Sequence, residues 1–215
     1  MPIVRGGYKP LFKTVITDKY NDVRETVYNG SGDKIDRYAV LEAEEAIRFC
    51  NGLILDNTVS DDAIYMALEI AKRGDAKTLL IPSADFSLDS EILSKAYVTM
   101  FDTKSASALL GIKSGCQMSE VAFALMRKGI KRAIVLSGHT ATLFENDELT
   151  TLKMSPPSTI VAAGLMDVFA AAFMVYTCRG YDARISLKAA TCAVSVSNEK
   201  EGILDNIPYK EQIKL

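Results

Sequence analysis

The residues best placed to do chemistry in this chain are Gly164-Leu165-Met166-Asp167, immediately ahead of the apolar run Val168 to Cys178. A helix opening here presents unpaired backbone N–H groups and a positive dipole end, an arrangement that holds anions. An aspartate in such a first turn has two readings. It complements the dipole, or it serves as a general base beside an anion hole. Spacing alone leaves both open. Elsewhere the chemistry is sparse. There is no Walker A sequence, no G-x-S-x-G, no H-E-x-x-H and no full G-x-G-x-x-G. Gly30-Ser31-Gly32 lacks the third glycine and a helix of adequate apolar period directly after it, so it reads as a turn. His139 is the sole histidine, and Cys50, Cys116, Cys178 and Cys192 lie far apart without a C-x-x-C, so zinc-ligand spacing is missing and the cysteines read as reduced and mostly buried. Glu42, Glu44 and Glu45 read as an exposed helix face, and Met118, Met126, Met154, Met166 and Met174 share no common face.

The elements that must position Gly164 to Asp167 follow from periodicity. Leu11 to Thr17 and Val23 to Tyr28, separated by Asp18-Lys19-Tyr20-Asn21-Asp22, predict a β-hairpin. The runs 52–56, 78–82, 96–100 and 132–136 are nearly continuous in apolar residues, as parallel strands buried on both faces are. Ser60-Asp61-Asp62 caps a helix that carries Ile64, Leu68 and Ala71 at helical spacing and stops at Gly74. A second helix runs from Met118 to Lys128 and ends at Gly129. Further along come a hairpin around Asn146-Asp147, a strand at Ser158 to Val161, the helix Val168 to Cys178 and a buried helix Leu187 to Ser197. Strand-helix-strand repetition implies β-α-β crossovers: an α/β fold, mostly parallel, with helices on both faces.

The 215 residues fit one domain, and 48% hydrophobic against 24% charged residues describes an ordinary globular chain. Twenty-five Lys and Arg against 27 Asp and Glu leave a net charge of -2, with no positive field for a phosphate backbone, so a nucleic-acid partner is not expected. Met1 to Pro10 has no apolar h-region and no stretch is long enough to span a bilayer, so a cytoplasmic location without a membrane partner is expected.

From Tyr8 to Pro208 the sequence resembles the ribokinase, or PfkB, family of carbohydrate and nucleoside kinases, with the first third of that family absent. Pro10, Thr14, Arg24, Tyr28 and Gly30-Ser31-Gly32 are similar to the family's β-hairpin lid, which makes residues 8–32 lid-like within a single domain, 1–215. Asp102-Thr103-Lys104-Ser105 ahead of Ala108 to Gly111 resembles its N-x-x-E segment, and Val135-Leu136-Ser137-Gly138 followed by Ala141 resembles its nucleotide loop. Val161 to Asp167 falls on D-T-x-G-A-G-D, where Gly164 and Asp167 match. The tail from Ala190 to Val196, with Gly202 and Pro208, is similar to the helix and loop that line the adenine pocket.

The resemblance implies a three-layer α/β/α ribokinase-like fold with a β-hairpin lid, ATP and Mg2+ as cofactors, and phosphoryl transfer to a sugar or nucleoside hydroxyl. It implies Asp167 as base, the Gly164, Leu165 and Met166 amides at the phosphoryl group, Ser137, Gly138, Thr191, Ser195 and Gly202 around the nucleotide, and Asp102 at the metal. It also places His139 near the nucleotide, against the plainer reading of a solvated loop histidine. Several departures matter. Met166 stands where the family has glycine, Ser105 replaces the glutamate, Asp102 the asparagine, and Val161-Ala162 the polar pair beside a monovalent-cation site. The G-G-x-x-x-N motif is absent, and Gly6-Gly7 reads as a turn. These departures support an alternative: an inactive relative that binds a nucleotide or a protein partner, or one half of a split kinase. The sheet edge that the missing strands would leave predicts a homodimer or a covering partner chain.

Overall fold

The computed structural model describes residues 12–17, 23–29, 35–85, 87–113, 115–156, 164–199 and 206–214, the first two stretches through their backbone. Gly6-Gly7, the turn at 18–22, Gly30 to Gly32, the expected strand at 158–161 and Gly202 lie outside the described residues.

β1 (Phe12–Thr17) and β2 (Val23–Asn29) form the expected antiparallel hairpin, pairing Phe12 with Asn29 and Ile16 with Glu25, as a sheet of their own. Two short helices follow, α1 (Arg37–Glu42) and α2 (Glu44–Arg48). They are too short to repeat an apolar period, and the local signal for α1 is Asp36, whose carboxylate accepts from the Ala39 N–H at 2.9 Å. β3 (Gly52–Asp56), α3 (Asp61–Arg73), β4 (Lys77–Ile81), α4 (Ser90–Leu93), β5 (Val98–Asp102), α5 (Thr103–Leu110), α6 (Met118–Arg127) and β6 (Arg132–Ser137) complete the crossovers. β7 (Thr140–Glu145) and β8 (Glu148–Lys153) then turn back, and α7 (Leu165–Cys178) and α8 (Ala183–Ser197) close the fold.

One six-stranded sheet runs in the order β3-β4-β5-β6-β7-β8, parallel through β6 and antiparallel beyond it. The Asn146-Asp147 turn joins β7 to β8 with both residues at positive φ, 52° and 63°, the backbone a two-residue hairpin requires. Because successive residues on a strand face opposite ways, neighbours serve different cores. Leu79, Met100 and Ile134 pack under α7 and α8, while Leu80, Phe101 and Val135 pack under α3 to α6. A smaller cluster of Val40, Ala67 and Ile70 joins α1 to α3 near β3. The result is the expected three-layer α/β/α arrangement.

Element boundaries depart from the sequence reading in ways that have causes. α7 starts at Leu165 rather than Val168 and α8 at Ala183 rather than Leu187, because apolar spacing reports the buried face whereas the start is set by the cap. Asp182 accepts from the Ile185 N–H at 2.8 Å. β5 runs from Val98 to Asp102 instead of 96–100, since an apolar run locates a strand only to within a few residues. Gly74 does end α3, but with φ of -92°. A Cβ there would lie 1.9 Å from the Arg48 carbonyl oxygen, so glycine is required for close approach to the end of α2. The four cysteines are free, and each is half-buried rather than buried, because all but Cys192 lie at or beyond the ends of helices.

Candidate functional site

The parallel strands β5 and β6 end side by side, Asp102 opposite Leu136, and their carboxyl ends open into a cleft of about 350 Å³. Ligands of open α/β sheets bind at such an edge, where loops and helix N-termini rather than strand amides face outward. Three structural devices shape the cleft.

The first is the start of α5. The Asp102 carboxylate accepts from the Ser105 N–H at 2.6 Å, and the Ser105 hydroxyl lies 3.0 Å from the Asp102 N–H and accepts from it, forming a capping box. Ser105 is only 1% exposed and its hydroxyl is turned back into this cap. It therefore presents nothing to the cleft, whereas Asp102 and Thr103 line it.

The second is the tight turn from β6 to β7. Ser137 pairs with Thr140, leaving Gly138 and His139 as a two-residue loop with Gly138 at φ of +53°. Ser137 contributes its carbonyl, which accepts from the Thr140 hydroxyl at 2.8 Å, and its side chain is not on the cleft wall. Gly138 and His139 are on that wall, with His139 exposed at the rim. The histidine is thus both solvated and beside the cleft.

The third is the start of α7. Gly164 sits at φ of +78°, in the left-handed region that a side chain disfavours, and makes no side-chain cap. The helical ladder begins with the Val168 N–H donating to the Gly164 carbonyl at 2.9 Å, so the N–H groups of Leu165, Met166 and Asp167 precede the first intrahelical bond. Leu165 and Met166 line the cleft, and Phe169, fully buried, forms part of its floor. Asp167 is exposed on the same first turn, outside the cleft lining.

Thr191 and Ser195, one turn apart on α8, are directed elsewhere. The Thr191 hydroxyl donates to the Lys188 carbonyl at 2.8 Å. The Ser195 hydroxyl donates to the Thr191 carbonyl at 2.9 Å and accepts from the Ser155 N–H at 3.0 Å. Asn198 adds a second hold on Ser155, its side-chain amide donating to that carbonyl at 2.6 Å. The Met154 N–H, next along, donates to the His139 carbonyl at 2.8 Å. Ser195 and Asn198 are therefore positioning residues that fix the strand exit carrying Met154 against the cleft.

Sequence reading assigned no site role of their own to Thr103, Leu136, Met154, Phe169, Val194 or Asn198, all of which line the cleft. It also found no shared face for the methionines; Met154 and Met166, from different elements, both line this cleft. The acidic run is divided between two helices, Glu42 ending α1 and Glu44 and Glu45 opening α2, with Glu44 paired to Arg73 at 3.1 Å. Among the described residues no cluster of His, Cys, Asp or Glu could hold a metal by itself, and no helix is long and apolar enough to cross a membrane.

No family model matches the chain. It is 27% identical over 209 residues to the ribokinase of Staphylococcus aureus, covering 94% of this chain and 67% of that one. It is 22% identical over 201 residues to the ribokinase of Schizosaccharomyces pombe, covering 90% of this chain and 63% of that one. The chain thus spans about two-thirds of the length of these relatives. Among solved structures, the ribokinase of Thermotoga maritima superposes with a TM-score of 0.80 at 20% identity, over 98% of this chain and 70% of that one. The ribokinase of Arabidopsis thaliana, complexed with ribose and ATP, does so with a TM-score of 0.74 at 18% identity, over 88% and 64%. The chain thus has a ribokinase-like fold and is similar in sequence to ribokinases along nearly its whole length.

Proposed function

We propose that the cleft is a nucleotide site and that the chain carries the phosphoryl-transfer half of an ATP-dependent kinase acting on a sugar or nucleoside hydroxyl. The observation that carries this reading is the helix start at Gly164, whose unpaired N–H groups stand beside a cleft at the carboxyl ends of β5 and β6. Ribose and ATP bound to the Arabidopsis relative are consistent with it.

In this reading the Leu165 and Met166 amides, with the dipole of the 14-residue α7 behind them, attract the charge that develops on a transferring phosphoryl group. Asp167, exposed on the same turn, accepts the proton of the substrate hydroxyl. Gly138 supplies the positive φ of +53° that the β6–β7 turn needs beside the cleft. Among the described residues Asp102 is the one carboxylate on the cleft wall, and it fits a magnesium ion held mainly by phosphate oxygens and water, as that ion prefers. Magnesium, when bound, supplies neutralisation of phosphate charge. Thr191 and Ser195 support the site through the backbone, with no direct nucleotide contact assigned to them.

A second reading, nucleotide binding without turnover, is favoured by one observation. Met166 places a long side chain in the cleft at the second helical position, where a transferring group would need close backbone approach. A further part of the proposal concerns partners. Among the described residues β3 is an edge strand, with Ile54 44% exposed and no proline or lysine to block pairing, which favours cover by a second copy or a partner chain.

The test is coupled ATP consumption with a panel of sugars and nucleosides, wild type against Asp167→Asn. The kinase reading expects turnover with at least one panel member and a loss of about 10²–10⁴-fold in the variant, because an amide cannot accept the proton. Background rates in both proteins, with nucleotide binding retained, would favour the second reading.

A further inference from the structure

On the amino side of the sheet, away from the cleft, two of the four cysteines are brought together from distant parts of the chain. Cys50 lies between α2 and β3. Cys178 is the last residue of α7, and its thiol donates to the carbonyl of Asn51 at 3.3 Å, across 127 residues of sequence. The same carbonyl accepts from the Lys77 N–H at 3.0 Å, so the backbone beside Cys50 is held in place by β4. Gly52 records how closely α7 approaches. A Cβ at Gly52 would come within 2.6 Å of the Cys178 sulfur and 3.0 Å of the Met174 methyl carbon. The Cys178 sulfur therefore rests on the Asn51-Gly52 backbone, adjacent to Cys50. The Cys50 thiol is turned back onto the Ile47 carbonyl at 3.1 Å, a contact that rotation about its own χ1 releases. Both residues are free thiols and half-buried, so a small reagent can reach them.

We propose that Cys50 and Cys178 are a redox-responsive pair, forming a reversible intramolecular disulfide by exchange with a small-molecule disulfide such as glutathione disulfide. The Cys50 thiolate attacks one sulfur of the reagent, forming a mixed disulfide and expelling one glutathione thiolate. The Cys178 thiolate then attacks the Cys50 sulfur, forming the protein disulfide and expelling the second. The two protein thiols lose two protons and two electrons, and the reagent's disulfide accepts them to become two glutathione thiols. The order of attack follows from the surroundings. Burial, and then the neighbouring Cys50, push the Cys178 thiol above its ordinary value, with Lys77 opposing them, which leaves Cys50 as the first nucleophile. The bond would tie the carboxyl end of α7, whose amino end faces the cleft, to the start of the edge strand β3.

The experiment equilibrates the full chain in glutathione buffers from fully reducing to fully oxidising, traps free thiols by alkylation, and maps peptides without reduction. The expected result is a cross-link between the Cys50 and Cys178 peptides within one chain, reversed by thiol, with Cys116 and Cys192 still alkylated. Cys178→Ser is expected to accumulate a glutathione adduct on Cys50, because the resolving thiol is gone. The wild-type map stands without that variant, should it fold poorly. Cys50 and Cys178 both remaining alkylatable in glutathione disulfide would overturn the proposal. So would a cross-link that pairs either of them with Cys116, Cys192 or a second copy.

Discussion

Asp102 links the stability of α5 to the cleft, because one side chain both caps the helix and lines the cleft. Replacing it with alanine removes an N-cap acceptor, and denaturant titration is expected to register a loss of about 1 kcal/mol. Calorimetry with ATP is expected to show more: binding to wild type that strengthens on adding magnesium, and a variant in which magnesium no longer helps. The affinity is expected to be micromolar or weaker. A single cleft carboxylate does little for the hydrated metal, and Ser105 is buried in the cap, out of its reach. Cys178 makes a separate point about pH. Burial holds its thiol above the ordinary value, so the native chain keeps a proton that the unfolded chain releases. That difference leaves stability intact below the unfolded value, about 8.5, and erodes it as pH rises from there through the folded value. Denaturation midpoints taken across this window are expected to fall in wild type and to fall less in Cys178→Ser.

At the scale of elements, the site is held by contacts that look incidental when taken singly. α3 ends against α2 at Gly74, where the Arg48 carbonyl leaves no room for a Cβ at 1.9 Å. Gly74→Ala forces the two helices apart, and a loss of about 1–3 kcal/mol is expected from thermal or denaturant unfolding, the usual cost of overpacking a rigid contact. The φ of -92° is one that alanine can adopt, so the loss reports packing and not backbone strain. α7 and α8 pack along their lengths through small residues, among them Ala170, Ala190 and Ala193, which lets the start of one helix and the end of the other border the same cleft. The clamp from Ser195 and Asn198 to Ser155 then places the β8 exit, and Met154 with it, across from Met166.

For the whole molecule, β3 is an open edge of the six-stranded sheet among the described residues. β3 alternates exposed and half-buried residues along its length, and Phe49, 74% exposed, adds apolar surface just before it. A parallel sheet normally covers both faces, and an unblocked edge invites another strand. Sedimentation is expected to find a dimer or a stable complex with a partner chain. A monodisperse monomer across the micromolar to millimolar range would show that the edge tolerates water.

Much of this architecture is local in origin and was therefore legible in the residues. Continuous apolar runs mark the buried strands β4, β5 and β6, although the equally apolar run 52–56 is the edge strand β3 and is not buried, Ser60 with Asp61 and Asp62 marks the start of α3, and Asn146-Asp147 marks a tight hairpin. The same held for the helix start at Gly164, because a glycine before an apolar helix carries its own backbone requirement at φ of +78°. The destination of each polar side chain was not local. Thr191 and Ser195 sit at helical spacing suited to a binding face, yet their hydroxyls are spent on backbone groups, one of them contributed by a residue 40 positions away. Met154 and Met166 came to line one cleft, and Cys178 reached Asn51 across 127 residues of sequence, only through the tertiary fold. Periodicity reports which face of an element is buried, and the pairing of those faces is decided by packing in three dimensions.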